Sequence, residues 1–580
     1  MGYLNFKSKY DRQPETVLDG YDNVAYEGYD DISKAILEKL GNKNIIVVDC
    51  YPAVNDQEIV PNFERFLNVD TIIYSEDIFY PCEELERRMQ AFLTQDRVRG
   101  VMYYGSILDF IDQDALEFQK QKLKNAKGRV LVYGFGASLI TTGDVLVYAD
   151  MARWEIQLRY RKGMTNFKAN NKDDEFLVKY KRGFFIEWRI ADKHKKQLYD
   201  KIDLYLDTNK ENSPKAVEFY ALKEALKKLT EKPFRLVPYF DPGVWGGQWM
   251  KEVCNLDSSK PNYAWSFDGV PEENSLFFRF GDVRIETPAM NLTQMYPKDF
   301  LGEKNYSRFG AEFPIRFDLL DTMDGQNLSL QVHPTTEYIK DKFGMSYTQD
   351  ESYYILDSKE DGGVYLGFKE NINKEQFIND LNSAQAGEIS FPAEKYINFW
   401  HAKKHDHFLI PAGTIHCSSK NTMVLEVSAT PYIFTFKLWD WDRVDMNGVP
   451  RPIHIKDGEK VLQYYRDTKW VRDNLINCFE IKEQNEDYTN VKTGLHELEF
   501  IETCVYTSKS EIRIKSDYEV SELNLVEGKS AIVKSANGKF EPLEVHYAET
   551  FIIPANAGDV VIVPTNSGEE IKVLMAKVRF

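Results

Sequence analysis

The chain has 580 residues, and single cores usually stop growing near ~250–300 residues, so three or four domains are expected. A hydrophobic content of 43% is ample for large cores, and an aromatic content of 14%, with 34 tyrosines and 36 phenylalanines, favours much β-structure. A formal net charge of −18 argues against nucleic acid or an anionic membrane as partner, since both need a cationic face, but it leaves room for a local cationic pocket.

The six cysteines (Cys50, Cys82, Cys254, Cys417, Cys478 and Cys504) are scattered, with no CxxC pair. They read as reduced thiols of a cytosolic protein rather than a disulfide frame. The N-terminus has no basic-plus-apolar leader and lacks the Ser or Thr at position 6 that myristoylation prefers. No apolar run approaches the ~20 residues of a membrane span. A soluble cytoplasmic protein is expected.

Residues 1–212 read as an α/β domain. Asp30 and Asp31 can cap a helix with Ile32, Ala35, Ile36 and Leu40 on one face, closed by Gly41. Apolar runs at 44–49, 71–74 and 129–133, with helical patterns between them, predict a mainly parallel sheet. Gly134-Phe135-Gly136-Ala137-Ser138 follows a strand, where nucleotide loops sit, yet it lacks the GK[ST] of a P-loop. The layout loosely resembles a nucleoside kinase without that chemistry, so a structural or regulatory role is expected. A linker helix is predicted over 213–232, with Ser213 as N-cap, Pro214 in the first turn and Pro233 as the stop.

From 233 onward short alternating strands and turn residues predict β-sandwich or barrel structure, with a helical insert near 371–385. Residues 233–470 form the expected metal-binding domain and 471–580 a second β domain. Phe408-Leu409-Ile410-Pro411-Ala412-Gly413 recurs as Phe551-Ile552-Ile553-Pro554-Ala555-Asn556, but only the first copy is followed by a histidine, His416. This predicts a duplicated barrel with one metal site.

Gln331 and His333 are two residues apart, so in a strand both reach one face. Glu351 lies on or near a later strand, and His416 comes from a third segment. Two imidazoles, a carboxylate and an amide oxygen suit zinc, with manganese, iron and cobalt also open to it. The absence of thiolate suits catalysis rather than a structural site. His401, His405 and His407 read as a solvated turn, and His454 as a core histidine.

From about residue 233 the chain resembles the type I phosphomannose isomerases, zinc-dependent cupin enzymes. The resemblance rests on Val244-Trp245-Gly246-Gly247, Tyr263-Ala264-Trp265-Ser266, Leu328-Ser329-Leu330-Gln331-Val332-His333-Pro334, Ile410-Pro411-Ala412-Gly413-Thr414-Ile415-His416 and Trp439-Asp440-Trp441-Asp442-Arg443, in the family's order. It implies a multidomain α+β protein, in which the α/β domain precedes a duplicated cupin (a double-stranded β-helix), as in a longer bacterial subgroup. It also implies a metal site of Gln331, His333, Glu351 and His416 holding one Zn²⁺ per chain, other divalent metals being open to it. Lys437 stands where the family has a catalytic arginine, and Gln349 where it has a lysine. Lysine keeps the charge but loses the planar two-point grip on phosphate. Lys437 is therefore the expected catalytic cation, and Lys437 with Arg443 the expected substrate-binding pair, with Arg316 a further compensating cation. The implied activity interconverts mannose 6-phosphate and fructose 6-phosphate through an enediol, the partner being a small-molecule sugar phosphate. Two alternatives stay open: a sugar or sugar-phosphate binding regulator, and an isomerase of a different sugar.

Overall fold

A computed structural model describes residues 2–429, 434–444, 451, 453–494 and 496–580. The N-terminal part is built on a seven-stranded sheet. Its strands run in the order Ala25–Glu27, Lys215–Glu218, Leu204–Asp207, Val145–Asp150, Ile45–Cys50, Val130–Gly134 and Thr71–Tyr74. The last five are mutually parallel, and Lys215–Glu218 is antiparallel to both its neighbours. The strand Ile45–Cys50, paired on both sides, opens with the apolar run Ile45-Ile46-Val47-Val48, of which Ile46, Val47 and Val48 are fully buried. The helix Tyr29–Leu40 buries Ile32, Ala35, Ile36 and Leu40, with Gly41 at its C-terminus. Asp30 and Asp31 lie inside its first turn, and Gly28 holds the capping position, so they complement the helix dipole rather than cap the helix.

The predicted linker helix over 213–232 is corrected. Lys215–Glu218 is a sheet strand, and the helix runs only over Phe219–Leu229. The apolar periodicity of the stretch is real, but the backbone donors of 215–218 pair with Leu204–Asp207, and tertiary pairing overrides local preference. The boundary at residue 1 also differs. Glu15–Leu18 joins Ser275–Phe280 and Val283–Pro288 in a separate three-stranded sheet, so the first segment packs on the β region.

The middle region pairs two antiparallel sheets. One has six strands: His407–Ile410, Glu351–Ser358, Thr422–Ala429, Ile315–Asp321, Trp265–Gly269 and Tyr239–Asp241. The other has five: Ile397–His401, Gly363–Phe368, His416–Ser418, Leu330–Val332 and Phe436–Trp439. The predicted helical insert is Lys374–Gln385, whose first turn is capped by Asn373 and which buries Phe377 and Leu381. The C-terminal region repeats the two-sheet plan with six and four strands, and its core draws Leu523, Phe551 and Val573 from one sheet and Ile512, Val533 and Ile562 from the other. A buried polar node ties the parts together. Arg235 pairs with Glu549 at 2.7 Å, the Tyr10 hydroxyl donates to Asp268 at 2.5 Å, and the Asp11 amide donates to Glu549 at 2.6 Å. Among the described residues no cysteine is disulfide-bonded, and no helix is long and apolar enough to cross a membrane.

Candidate metal centre and its cavity

The strand Leu330–Val332 lies between His416–Ser418 and Phe436–Trp439, which places Gln331 directly opposite His416 on one side and Lys437 on the other. His333 follows on the same face, and its carbonyl accepts the Gly413 amide at 2.9 Å. The Pro411-Ala412-Gly413 turn is thus tied to a candidate ligand. Gly413 has φ 89°, and a Cβ there would stand 2.6 Å from Gln463 Cγ and 2.9 Å from the Val461 carbonyl, so the turn needs glycine. Arg466 clamps it further, donating to the carbonyls of Pro411 at 2.6 Å and Ala412 at 2.9 Å. Glu351 reaches the same point from the opposite, six-stranded sheet.

The three side chains converge in the interior. Glu351 Oε1 lies 2.7 Å from His416 Nε2 and 3.1 Å from His333 Nε2, all three groups being buried. Among the described residues this is the one group of three or more histidine, cysteine or carboxylate side chains so gathered, with a donor atom of each within 4.8 Å of the others. His416 Nδ1 lies 2.9 Å from the Thr414 carbonyl, and His333 Nδ1 lies 3.0 Å from that of Phe434. These carbonyls hold the Nδ1 protons and turn each bare Nε2 inward, the tautomer that a metal ligand needs. His333 Nε2 and Glu351 Oε1 are buried without hydrogen-bond partners, which is costly unless something else occupies the gap. Burial opposes charge on both residues, but their mutual attraction prevails. Glu351 is held well below the usual carboxylate range by His333 and then His416, and His333 is raised by Glu351. The Gln331 amide completes the group with Nε2 at 3.3 Å from His416 Nε2, and turning that amide over presents its oxygen to the same point. A divalent cation fits this donor set.

Gln349 occupies the space beside the centre as a neutral bridge. Its Nε2 donates to Glu351 Oε2 at 3.1 Å and to Glu426 Oε1 at 3.2 Å, while its Oε1 accepts the Phe434 amide at 2.7 Å. The neighbouring histidines divide differently from the sequence expectation. His401 is exposed and His405 half-buried, its ring between Tyr354 and Glu527. His407, expected in a solvated turn, is instead fully buried on a strand. It packs edge-on to Tyr354, and burial pushes it down to about 3, so it stays neutral. The alternation of the strand His407–Ile410 carries it inward despite its polar neighbours. His454 is buried as expected, 3.5 Å from Asp96 of the α/β domain.

A cavity of about 320 Å³ opens beside the centre, with Gln331, Gln349 and Glu426 in its wall. Trp245 and Trp265, in edge contact at 4.8 Å, make an apolar side. Lys437, Arg451 and Arg316 supply charge from the β region, and Arg97, Arg99 and Arg161 from the α/β domain. Most of these cations are already paired: Arg316 with Asp318, Arg451 with Asp440, Arg161 with Asp241 and Arg97 with Glu175. Lys437 has no carboxylate within ion-pair distance among the described residues. Burial, then the Arg451 charge, push its ammonium well below the usual lysine range, with Arg99 and Arg443 acting the same way and Asp440 opposing.

Of the sequence-predicted residues, Gln331, His333, Glu351 and His416 come together and Lys437 faces the adjoining cavity. Arg443 does not line that cavity. Its guanidinium is spent on the Asp440 side chain at 2.8 Å, the Asp440 carbonyl at 3.0 Å and the Asn327 carbonyl at 2.6 Å, so it positions Asp440, which in turn holds Arg451. Sequence reasoning missed Glu426 and the α/β-domain residues. Glu426 carried a legible signal, a lone carboxylate within the apolar run Met423-Val424-Leu425-Glu426-Val427. Arg99 carried none, because its place in the wall depends on domain packing. In the α/β domain the glycine loop is closed off. Asp49 accepts the amides of Gly136 at 3.1 Å and Ser138 at 2.8 Å, donors that a phosphate-binding loop would keep for its ligand.

The molecule thus carries a buried His333, Glu351 and His416 group that could hold a metal ion, beside a cavity lined by cations. Comparison with known proteins finds likenesses of two kinds. A family model described as a domain of unknown function (DUF8485) matches residues 28–231. A stretch of 232 residues, 40% of this chain and 68% of the relative, is 28% identical to the probable mannose-6-phosphate isomerase GmuF of Bacillus subtilis (strain 168). Over 240 residues, 40% of this chain and 69% of the relative, it is 24% identical to the mannose-6-phosphate isomerase ManA of the same organism. The crystal structure of the mannose 6-phosphate isomerase from Bacillus subtilis aligns with 60% of this chain and 100% of its own, at 20% identity and a TM-score of 0.49.

Proposed function

We propose that this protein is a metal-dependent aldose–ketose isomerase that interconverts mannose 6-phosphate and fructose 6-phosphate through an enediol. The observation that carries the reading is the buried Gln331, His333, Glu351 and His416 donor set beside a cavity lined by Lys437, which has no carboxylate partner among the described residues. The similarity to mannose-6-phosphate isomerases supports the choice of substrate. Zinc, one ion per chain, suits the donors, and as a Lewis acid it would polarise the C1 and C2 oxygens of the opened sugar.

The chain's own residues supply the rest. Gln331 belongs both to the donor set and to the cavity wall, so it aligns the sugar's reacting end with the centre. Trp245 and Trp265 keep one side of the cavity dry, which strengthens charge interactions within it. Glu426 is the wall carboxyl suited to carry a proton between C1 and C2. Burial, then the Glu351 and Asp318 charges, raise it well above the usual carboxylate range, so it holds a proton more readily than an ordinary carboxyl. Gln349, donating to both Glu351 and Glu426, fixes its orientation. Lys437 stabilises negative charge on the substrate. The test is a coupled assay of metal-loaded protein for conversion of mannose 6-phosphate to fructose 6-phosphate. No conversion at one metal per chain refutes the activity, and an unchanged kcat in Glu426→Gln refutes its role as proton carrier.

A further inference from the structure

The cavity wall is built by two domains. Arg99 belongs to the α/β domain yet is only 4% exposed, because its side chain lies against the β region. Its guanidinium stacks on the Phe434 ring at 4.9 Å and donates through Nη2 to the Thr435 carbonyl. Its Nε is buried with no hydrogen-bond partner, and among the described residues no carboxylate lies within ion-pair distance of it. The segment that carries it is held firmly. The Arg99 amide donates to Asp96 Oδ1 at 2.6 Å, the Val98 amide to the same oxygen at 2.7 Å, and the Thr94 hydroxyl to the Arg99 carbonyl at 2.6 Å. Asp96 faces His454 across the domain boundary at 3.5 Å, and the Met102 amide donates to the Phe343 carbonyl at 2.8 Å.

Arg99 and Lys437 therefore share one cavity, come from different domains, and both lack a carboxylate partner among the described residues. Two like charges on one cavity repel each other, and partly buried charge is costly unless an anion joins it. A phosphate monoester offers the two negative charges and the acceptor oxygens that this pair leaves unanswered. The position where the sequence holds Gln349 supplies no charge of its own, since that side chain is committed to Glu351, Glu426 and the Phe434 amide.

We propose that Arg99 and Lys437 form the phosphate subsite of the cavity, so that the α/β domain is a built-in part of the substrate site. The proposal rests on the sugar-phosphate reading above. The α/β domain then has a task that needs no nucleotide and no P-loop: it completes the site with one planar cation, held rigid by the Asp96 turn.

The experiment measures calorimetric binding of inorganic phosphate to the metal-loaded full chain, for wild type, Arg99→Ala and Arg99→Lys. Loss of a charge-assisted contact in Arg99→Ala weakens phosphate by about tenfold or more, and Arg99→Lys recovers part of it. Metal content and melting temperature stay at wild-type values in both. Wild-type phosphate affinity in Arg99→Ala overturns the proposal. So does a loss that appears only together with lost metal or lowered melting temperature, which marks Arg99 as a structural latch. If Arg99→Ala does not fold, Arg99→Lys decides: it keeps the charge but not the planar grip, and undiminished phosphate binding counts against the subsite. Mannose 6-phosphate turnover by wild type separates the two readings. A wild type inactive on that sugar refutes the isomerase function while Arg99-dependent phosphate binding still upholds the subsite. An active enzyme with an unchanged KM in Arg99→Ala sinks the subsite alone.

Discussion

Replacing His416 by alanine removes one donor from the centre and one of the two imidazoles that face the buried Glu351 carboxylate. Zinc sites with four protein ligands have apparent binding free energies of ~10–16 kcal/mol, so an equal share per ligand is ~3–4 kcal/mol, or roughly a 10²- to 10³-fold loss of affinity. Linkage makes this visible as stability. Metal at 1,000 times its Kd stabilises the native state by ~4 kcal/mol, and at a thousandfold weaker Kd the same concentration adds only ~0.4 kcal/mol. The metal-free variant also loses stability, because Glu351 Oε1 keeps His333 at 3.1 Å but no longer has His416 at 2.7 Å. The assay is metal content after dialysis against a competing chelator, together with melting curves with and without zinc. Full stoichiometry at wild-type affinity, or an unchanged metal-induced rise in melting temperature, refutes the ligand assignment.

Metal retention should also depend on pH in a definite direction. His333 titrates above the ordinary histidine value in the metal-free protein, so protons compete for its Nε2 at higher pH than for a free histidine. The metal Kd measured down a pH series therefore begins to rise above ~6.5, the unperturbed histidine value, and a Kd that stays constant down to that pH contradicts the geometry. Lys437→Met lowers kcat/KM for mannose 6-phosphate by roughly 10- to 150-fold, the loss of a ~1.5–3 kcal/mol charge-assisted bond, with metal content retained. Arg235→Ala leaves Glu549 and Asp268 buried without their cation and destabilises the protein by about 3–5 kcal/mol in denaturant titration. A midpoint equal to wild type would show that the node does not join the first segment to the β region.

The candidate metal site was legible because its chemistry is local. Gln331 and His333 share a face by strand alternation, and Pro411-Ala412-Gly413 announces a turn whose glycine takes φ 89°. Glu351 stands out at the start of the apolar strand Glu351–Ser358. His407 misled because a polar neighbourhood suggests solvent, whereas the strand that it opens faces inward. Lys215–Glu218 misled because an apolar helix stripe and a buried strand look alike over four residues, and only the partner Leu204–Asp207 separates them.

By itself, then, the sequence determined the candidate donors, the turn that presents His416 and the alternation that puts Gln331 and His333 on one face, all set by backbone geometry within a few residues. Tertiary structure alone decided which charges surround them. Arg443 is turned away onto Asp440, Gln349 is locked between two carboxylates, and Arg99 arrives from a domain more than 200 residues earlier than the strand Leu330–Val332 it helps enclose. The physical reason is range. Strand alternation and turn preference act through neighbouring bonds, whereas the field in a cavity sums side chains brought together only when the domains close on one another.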